Sequence, residues 1–262
     1  MARRATTIKA ARASSQYFLL LDAGNSLSNE FTTTAEVAVA NGGRTAVEAL
    51  SRLGYDAVAL GDLDLHMGRA ALQERLAELK GVEMVSANVT DRATGKLLVK
   101  PYVVKELGGH RIALIGITAL VKDDPDFAVA PPLDAAKEYV GKAKAEADII
   151  ILLSNAGAET NKAIAAQLPD VDLIISGGPD QLDQPAQPTP SSLVVQADVS
   201  SAGHAGRYIA KLQATFDPSG KLIGHDWQKF ELGPSVADDP GIKLWVDSLA
   251  KAQPTEPATA QP

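Results

Sequence analysis

Hydrophobic positions along the chain fall into short, continuous runs that each end on a small or polar residue. They are YFLLLDAGN (17–25), DAVALGD (56–62), EMVSAN (83–88), RIALIGIT (111–118), DIIILLSN (148–155) and DLIISGG (172–178). Unbroken Val/Ile/Leu runs of this length predict strands buried on both faces. Between them lie segments with helical spacing of apolar residues: TAVEALSRLG (45–54), RAALQERLAELKG (69–81), PLDAAKEYVGKAKAEA (132–147) and TNKAIAAQLPD (160–170). Gly54 and Gly81 read as helix stops, and Pro169 ends its helix. Strand alternating with helix predicts a layered α/β fold.

From about residue 191 the rhythm changes. SSLVVQADV, GRYIAKLQATFD and KLIGHDWQKFEL have no helical segment between them, and DPSGK (217–221) carries the residues of a turn, so the last two predict a hairpin. A final helix is expected from about Pro240 to Lys251. The stretch 179–192 reads as a long loop, and 253–262, rich in Pro, Ala and Thr, as a disordered tail. With no internal repeat and no clear linker, residues 1–252 are expected to form one domain.

Composition narrows the chemistry. The chain has 262 residues, 45% of them hydrophobic, enough for a large core. The absence of cysteine excludes disulfides, thiolate-held zinc, iron–sulfur clusters and thiol nucleophiles. A net charge of −7 argues against a broad nucleic-acid surface. No apolar run reaches the roughly 18 residues of a membrane helix. The opening MARRATTIKAARASSQYFLLLDAG reads as a helix leading into a strand; YFLLL is too short for the core of an export signal.

In α/β sheets ligands sit beyond the carboxyl ends of the strands. That places Asp22, Asn25, Asp62, Asp64, Asn88, Ser154, Asn155, Ser176 and Asp180 near one face. The spacing Asp62, Asp64, His66 in ALGDLDLHMG suggests a small site for a hard cation, shared with Asn25, Asn155 and Asp180. The plainer reading is loop polarity and helix capping, with Asp64 or His66 preceding a helix near Met67. His110, His204 and His225 have no metal-ligand spacing. Ser26 and Ser154 lack the surroundings of a serine nucleophile. SGGPDQ could cradle an anion on backbone N–H groups, though a tight turn is the simpler use of its glycines. NVT (88–90) matches a glycosylation acceptor, and Trp227 and Trp245 read as packing residues.

LLLDAGNSL, GYDAVALGDLDLHMG, VSANV, PYVVKELGGHRIALIGIT, ADIIILLSNAG and VDLIISGG stand in the order and spacing of the 5′-nucleotidase-like metallophosphoesterases, which the chain resembles to about residue 235. The resemblance implies a four-layer α/β/β/α sandwich with mixed sheets. It also implies hydrolysis of nucleotide phosphoesters by two cations roughly 3.5–4 Å apart, which activate a hydroxide and neutralise phosphoryl charge.

The ligand positions depart from that pattern. The family's Asp-x-His strand should precede the opening helix and is not seen. Gly24-Asn25 replaces Gly-Asp, and Gly61-Asp62-Leu63-Asp64-Leu65-His66 replaces Gly-Asn-His-Glu-Phe-Asp, so Leu63 occupies the place of the catalytic His. Ser154-Asn155-Ala156-Gly157 replaces Ser-His-x-Gly, and Gly177-Gly178-Pro179-Asp180 replaces Gly-His-x-His. A neutral amide is a poor bridge between two cations, because it lacks the carboxylate's charge.

The expectation is a domain of this fold with a degenerate site and no confident catalytic residue. Asn25, Asp62, Asn155 and Asp180 are its candidate metal ligands, and Asp22, Asp64, His66, Ser154 and Gly178 its cleft. Three readings stay open: a binding or structural role at the strand-end cleft, a divergent hydrolase using one divalent cation (Mg, Ca or Mn), and a fragment without an independent role. A small anionic or phosphate-bearing ligand is the partner class the resemblance suggests, and a periplasmic or extracellular setting the location.

Overall fold

The computed structural model describes residues 1–27, 42–178, 180–198 and 206–252. The loop around His204 and the expected tail 253–262 lie outside these residues.

The first third of the chain runs α1 (Ala2–Ala13), β1 (Leu21–Asp22), α2 (Arg44–Leu53), β2 (Ala57–Ala59), α3 (Asp62–Leu65), α4 (Arg69–Glu78) and β3 (Glu83–Val85). Next come β4 (Val89–Asp91), β5 (Lys96–Leu97), β6 (Tyr102–Leu107), β7 (His110–Ile117), β8 (Phe127–Val129), α5 (Pro132–Ala143), β9 (Ile149–Ser154), α6 (Ala158–Gln167) and β10 (Leu173–Ser176). The chain finishes with β11 (Ala186–Pro188), β12 (Leu193–Val195), β13 (Tyr208–Phe216), β14 (Leu222–Glu231) and α7 (Pro240–Ala252).

The strands form a six-stranded mixed sheet, β11-β12-β10-β9-β7-β6, a three-stranded parallel sheet, β1-β2-β3, a small sheet β5-β4-β8 and the hairpin β13-β14. In the large sheet β7, β9, β10 and β12 run parallel, while β6 and β11 are antiparallel edges.

Why the apolar runs are unbroken is visible in β9. Ile149, Ile151 and Leu153 point into the layer between the two main sheets. Ile150 and Leu152 point the other way, into a core shared with α5 and α6. Burying each such side chain contributes about 1.5–3 kcal/mol. On the far side, Val58 and Leu60 from the β1–β3 half pack with Ile8 of α1, Leu50 of α2 and Trp245 of α7. The order of layers is therefore helices, sheet, sheet, helices.

The halves meet most closely where β3 crosses β7. A Cβ on Gly116 would lie 2.1 Å from the Val85 carbonyl oxygen, so only glycine allows this approach. Ala87 N–H then donates to the Gly116 carbonyl at 2.8 Å.

One expectation is corrected. The stretch 179–192 is not wholly loop, because β11 pairs with β12 through Ala186, Gln187 and Pro188; a Pro-bearing strand at a sheet edge has no alternating pattern to betray it. The helix expected near Met67 and over 69–81 is present, and what the sequence did not show is a separate short helix ahead of it. Asp62–Leu65 forms its own short helix, and α4 begins at Arg69 after Gly68. The hairpin behaves as read: β13 and β14 pair antiparallel from Tyr208↔Glu231 onwards, with Asp217 N–H bonded to the Lys221 carbonyl at 2.9 Å.

Candidate functional site

Loops from both halves converge beyond the strand ends. Asn25 follows β1 with φ of 60°, a left-handed conformation that Asn tolerates better than most residues. Its side chain lies against Gly61, where a Cβ would collide with Asn25 Oδ1 at 1.9 Å. Asn25 Nδ2 donates to Asp62 Oδ1 at 3.1 Å, and Leu63 N–H donates to Asn25 Oδ1 at 3.0 Å. From the large sheet, Asn155 Oδ1 accepts the Asp62 N–H at 3.0 Å and the Ala119 N–H at 3.4 Å. Asn25, Asp62 and Asn155, named from sequence as candidate ligands, are thus brought together and bonded to one another. Asn155 is fully buried, and its Nδ2 has no hydrogen-bond partner.

Asp180 reaches the same region from the loop after β10. A Cβ on Gly157, which precedes α6, would lie 2.9 Å from Asp180 Oδ2. Gly178 folds over the Asn155 backbone: a Cβ there would sit 2.9 Å from the Asn155 carbonyl oxygen. Asp22 accepts the Gly24 N–H at 3.0 Å at the same strand end.

The remaining cleft residues have other tasks. Asp64 is fully buried and accepts two backbone N–H bonds at 2.9 Å, from Leu27 and from Gly61, so it fixes the loop after β1 against α3. Ser154 is buried and donates to Asn161 Oδ1 at 2.6 Å, and Asn161 Nδ2 donates to Ser176 Oγ at 2.9 Å. This chain locks α6 onto β9 and β10. His66 sits exposed at the end of α3. Leu63 is buried.

Sequence reasoning missed the second buried network. Asn88 Nδ2 donates to the Thr118 carbonyl at 2.7 Å and the Ala130 carbonyl at 3.0 Å, while its Oδ1 accepts the Thr118 N–H at 2.9 Å. Thr118 Oγ1 donates to the Leu60 carbonyl at 2.6 Å, tying the end of β7 to the end of β2. With its amide consumed and its surface buried, Asn88 is no accessible glycosylation acceptor. Thr118 could have been found as the polar residue that ends RIALIGIT; Asn161 gives no local signal.

The donor set does not fit a pair of divalent cations. Two of the four candidate ligands are neutral amides, and one of them aims a donor N–H at the Asp62 carboxylate, where a cation pair would need lone pairs. Among the described residues, no group of three or more His, Cys, Asp or Glu is placed to hold a metal ion.

Curated proteins similar to this chain include the 5′-nucleotidase of Bos taurus, 28% identical over 276 residues, and the snake venom 5′-nucleotidase of Naja atra, 27% identical over 276 residues. These alignments cover 93% and 95% of the chain, but 46% and 50% of the relatives. Among solved structures, a 5′-nucleotidase precursor from Thermus thermophilus superposes with a TM-score of 0.78 at 25% identity, over 95% of this chain and 52% of that one. The chain is related to the 5′-nucleotidase-like metallophosphoesterases. The same fold is seen in the Thermus thermophilus sulfate thiohydrolase SoxB, with a TM-score of 0.82 at 19% identity over 95% of this chain and 46% of that one. No family model matches the sequence. The 5′-nucleotidase-like chain spans about half the length of the curated relatives it matches.

Proposed function

We propose that this 5′-nucleotidase-like domain uses the cleft beyond its strand ends for binding or for structure rather than for phosphoester hydrolysis. The observation that carries this reading is the Asn25 amide, which donates to Asp62 at 3.1 Å and so occupies the lone pair a bridging cation would use. The Asn155 carbonyl oxygen is likewise engaged by the Asp62 N–H. The ligand class that suits the cleft is small and anionic or phosphate-bearing. It would be received by the buried Asn155 Nδ2 beside the N-terminal end of α6, where helix N–H groups favour negative charge. The relatives' name, 5′-nucleotidase, makes a nucleoside monophosphate the first ligand to try.

The test has two arms. Metal content is measured, and hydrolysis of AMP and of p-nitrophenyl phosphate is assayed with Mg²⁺, Ca²⁺, Mn²⁺ or Zn²⁺ added. No turnover is expected. Metal-dependent turnover abolished by Asp62→Ala and by Asp180→Ala would overturn the proposal in favour of a hydrolase with one cation. In the second arm AMP and inorganic phosphate are titrated by calorimetry. Heat that disappears in Asn155→Leu supports a binding role, and no heat with either ligand leaves the structural role alone.

A further inference from the structure

Where α6 meets the cleft, backbone donors stand without acceptors. The first bond inside the helix runs from the Asn161 N–H to the Gly157 carbonyl at 3.0 Å, so the N–H groups of Ala158, Glu159 and Thr160 have no acceptor within it. Gly157 is the cap residue and has no side chain to offer them. Two residues earlier stands Asn155, fully buried, with Nδ2 unpartnered. Its Oδ1 is taken by the Asp62 and Ala119 N–H groups, so Nδ2 is the end of that amide left to meet a ligand. A buried donor without an acceptor, beside the positive end of a helix, calls for an anion. Glu159, in the first turn of α6, does not supply it: its side chain is exposed and pairs with Lys162 at 3.0 Å.

The chain brings an anion of its own. Asp180 Oδ2 lies 2.9 Å from the point where a Cβ on Gly157 would sit, in the space that a capping side chain fills. The backbone that carries it is pinned. Buried Gln196 donates from Nε2 to the Asp180 carbonyl at 2.8 Å and accepts the Leu182 N–H on Oε1 at 2.9 Å. Gly178, with φ of 94°, holds the start of the same loop against the Asn155 carbonyl. The Asp180 carboxylate has no hydrogen bond or ion pair among the described residues, and Asp180 is exposed. A fixed backbone thus presents a side chain that is free to turn.

We infer that Asp180 is a built-in competitor for the anion site of the cleft. Its carboxylate stands at the end of α6 when no ligand is there, and swings out when a phosphate group docks on Asn155 Nδ2 and the α6 N–H groups. This regulation rests on the anion-binding reading of the cleft given above. It also sets which anions enter. A phosphate dianion brings more charge and more acceptor oxygens than the side chain it displaces, whereas a lone carboxylate gains nothing by the exchange.

The experiment titrates inorganic phosphate by calorimetry, in EDTA so that no divalent cation takes part. The full chain is compared with Asp180→Asn, with Asp183→Asn and with the double variant Asp180→Asn, Asn155→Leu. Asp180→Asn keeps the shape of an exposed side chain and removes its charge. It is expected to bind phosphate about tenfold more tightly than the unaltered chain. Binding seen in Asp180→Asn alone is the limiting form of the same result. Asp183→Asn removes one charge from the same loop, at a residue that pairs with Lys162 at 3.4 Å, and is expected to change the affinity by less than about twofold. The double variant is expected to lose the gain; if it fails to fold, the two single variants still decide. Phosphate bound by the unaltered chain but no more tightly by Asp180→Asn would overturn the competitor and leave the binding role standing. Equal tightening by Asp183→Asn would assign the effect to net charge and overturn it as well. No heat from any of the chains would overturn both this inference and the binding role beneath it.

Discussion

In the large sheet β9 has a strand on each side, and all six of its residues from Ile149 to Ser154 are buried. In the other half β13 has one partner among the described residues, and none of its nine residues is fully buried. β9 is apolar up to Ser154, whereas β13 carries Lys211 and Gln213 among its apolar residues, and the two differ in how many edges are paired and how many faces are covered. The candidate site lies where these two regimes meet. Asn25 and Asp62 come from the β1–β3 half, Asn155 and Asp180 from the large sheet, and the Asp62 N–H to Asn155 bond crosses the seam. At these strand ends the bond therefore ties the β1–β3 half to the large sheet.

The largest effect expected on this contrast comes from truncation. Leu152→Ala, at a fully buried position of β9, is expected to cost about 3–4 kcal/mol in chemical denaturation. Ile209→Ala, partly buried on β13, is expected to cost about 1 kcal/mol or less. Equal costs would mean that the two halves are held alike. Next is Asn88→Ala, expected to cost about 2–3 kcal/mol because it strands the Thr118 N–H and the Thr118 carbonyl in the interior.

At the seam, Asn25→Asp exchanges a donated hydrogen bond for a second carboxylate facing Asp62. A loss of about 1–2 kcal/mol is expected without divalent cations, shrinking when Mg²⁺ or Ca²⁺ is added. A loss that no cation relieves would show that the two carboxylates fail to form a cation site.

The smallest effect concerns pH. Burial pushes the Asp172 carboxyl up from 3.8 to about 6, although its Oδ2 accepts the Ile150 N–H at 2.8 Å. Between pH 4 and 6 the folded chain holds a proton that the unfolded chain has shed, so this group's contribution to stability is lost as pH rises through that window. Asp172→Asn is therefore expected to stabilise the protein by about 1 kcal/mol at pH 7.5, after allowance for partial exposure, and by nothing near pH 4. A gain that persists at pH 4 would point to packing rather than charge.

How far the sequence reached can be judged strand by strand. The six apolar runs contain β1, β2, β3, β7, β9 and β10, because a strand covered on both faces leaves no polar alternation to confuse it. The β6–β7 hairpin was not read from the sequence, although Gly108-Gly109, both with positive φ, stand at its turn. The short strands β4, β5 and β8 were not either, since two or three residues carry no period. At the site, sequence identified the residue types present, but not where their hydrogen bonds would go.

By itself, then, the sequence determined which segments bury which faces, and which chemical groups stand at the strand ends: amides at Asn25 and Asn155, leucine at 63, carboxylates at Asp62 and Asp180. These follow from local period and residue type. Tertiary structure alone decided that Asn25 bonds Asp62 and that Asn155 crosses from one sheet to the other. The physical reason is distance along the chain: 37 and 93 residues separate the partners in those two bonds, and no local pattern encodes a contact that forms only when two sheets stack.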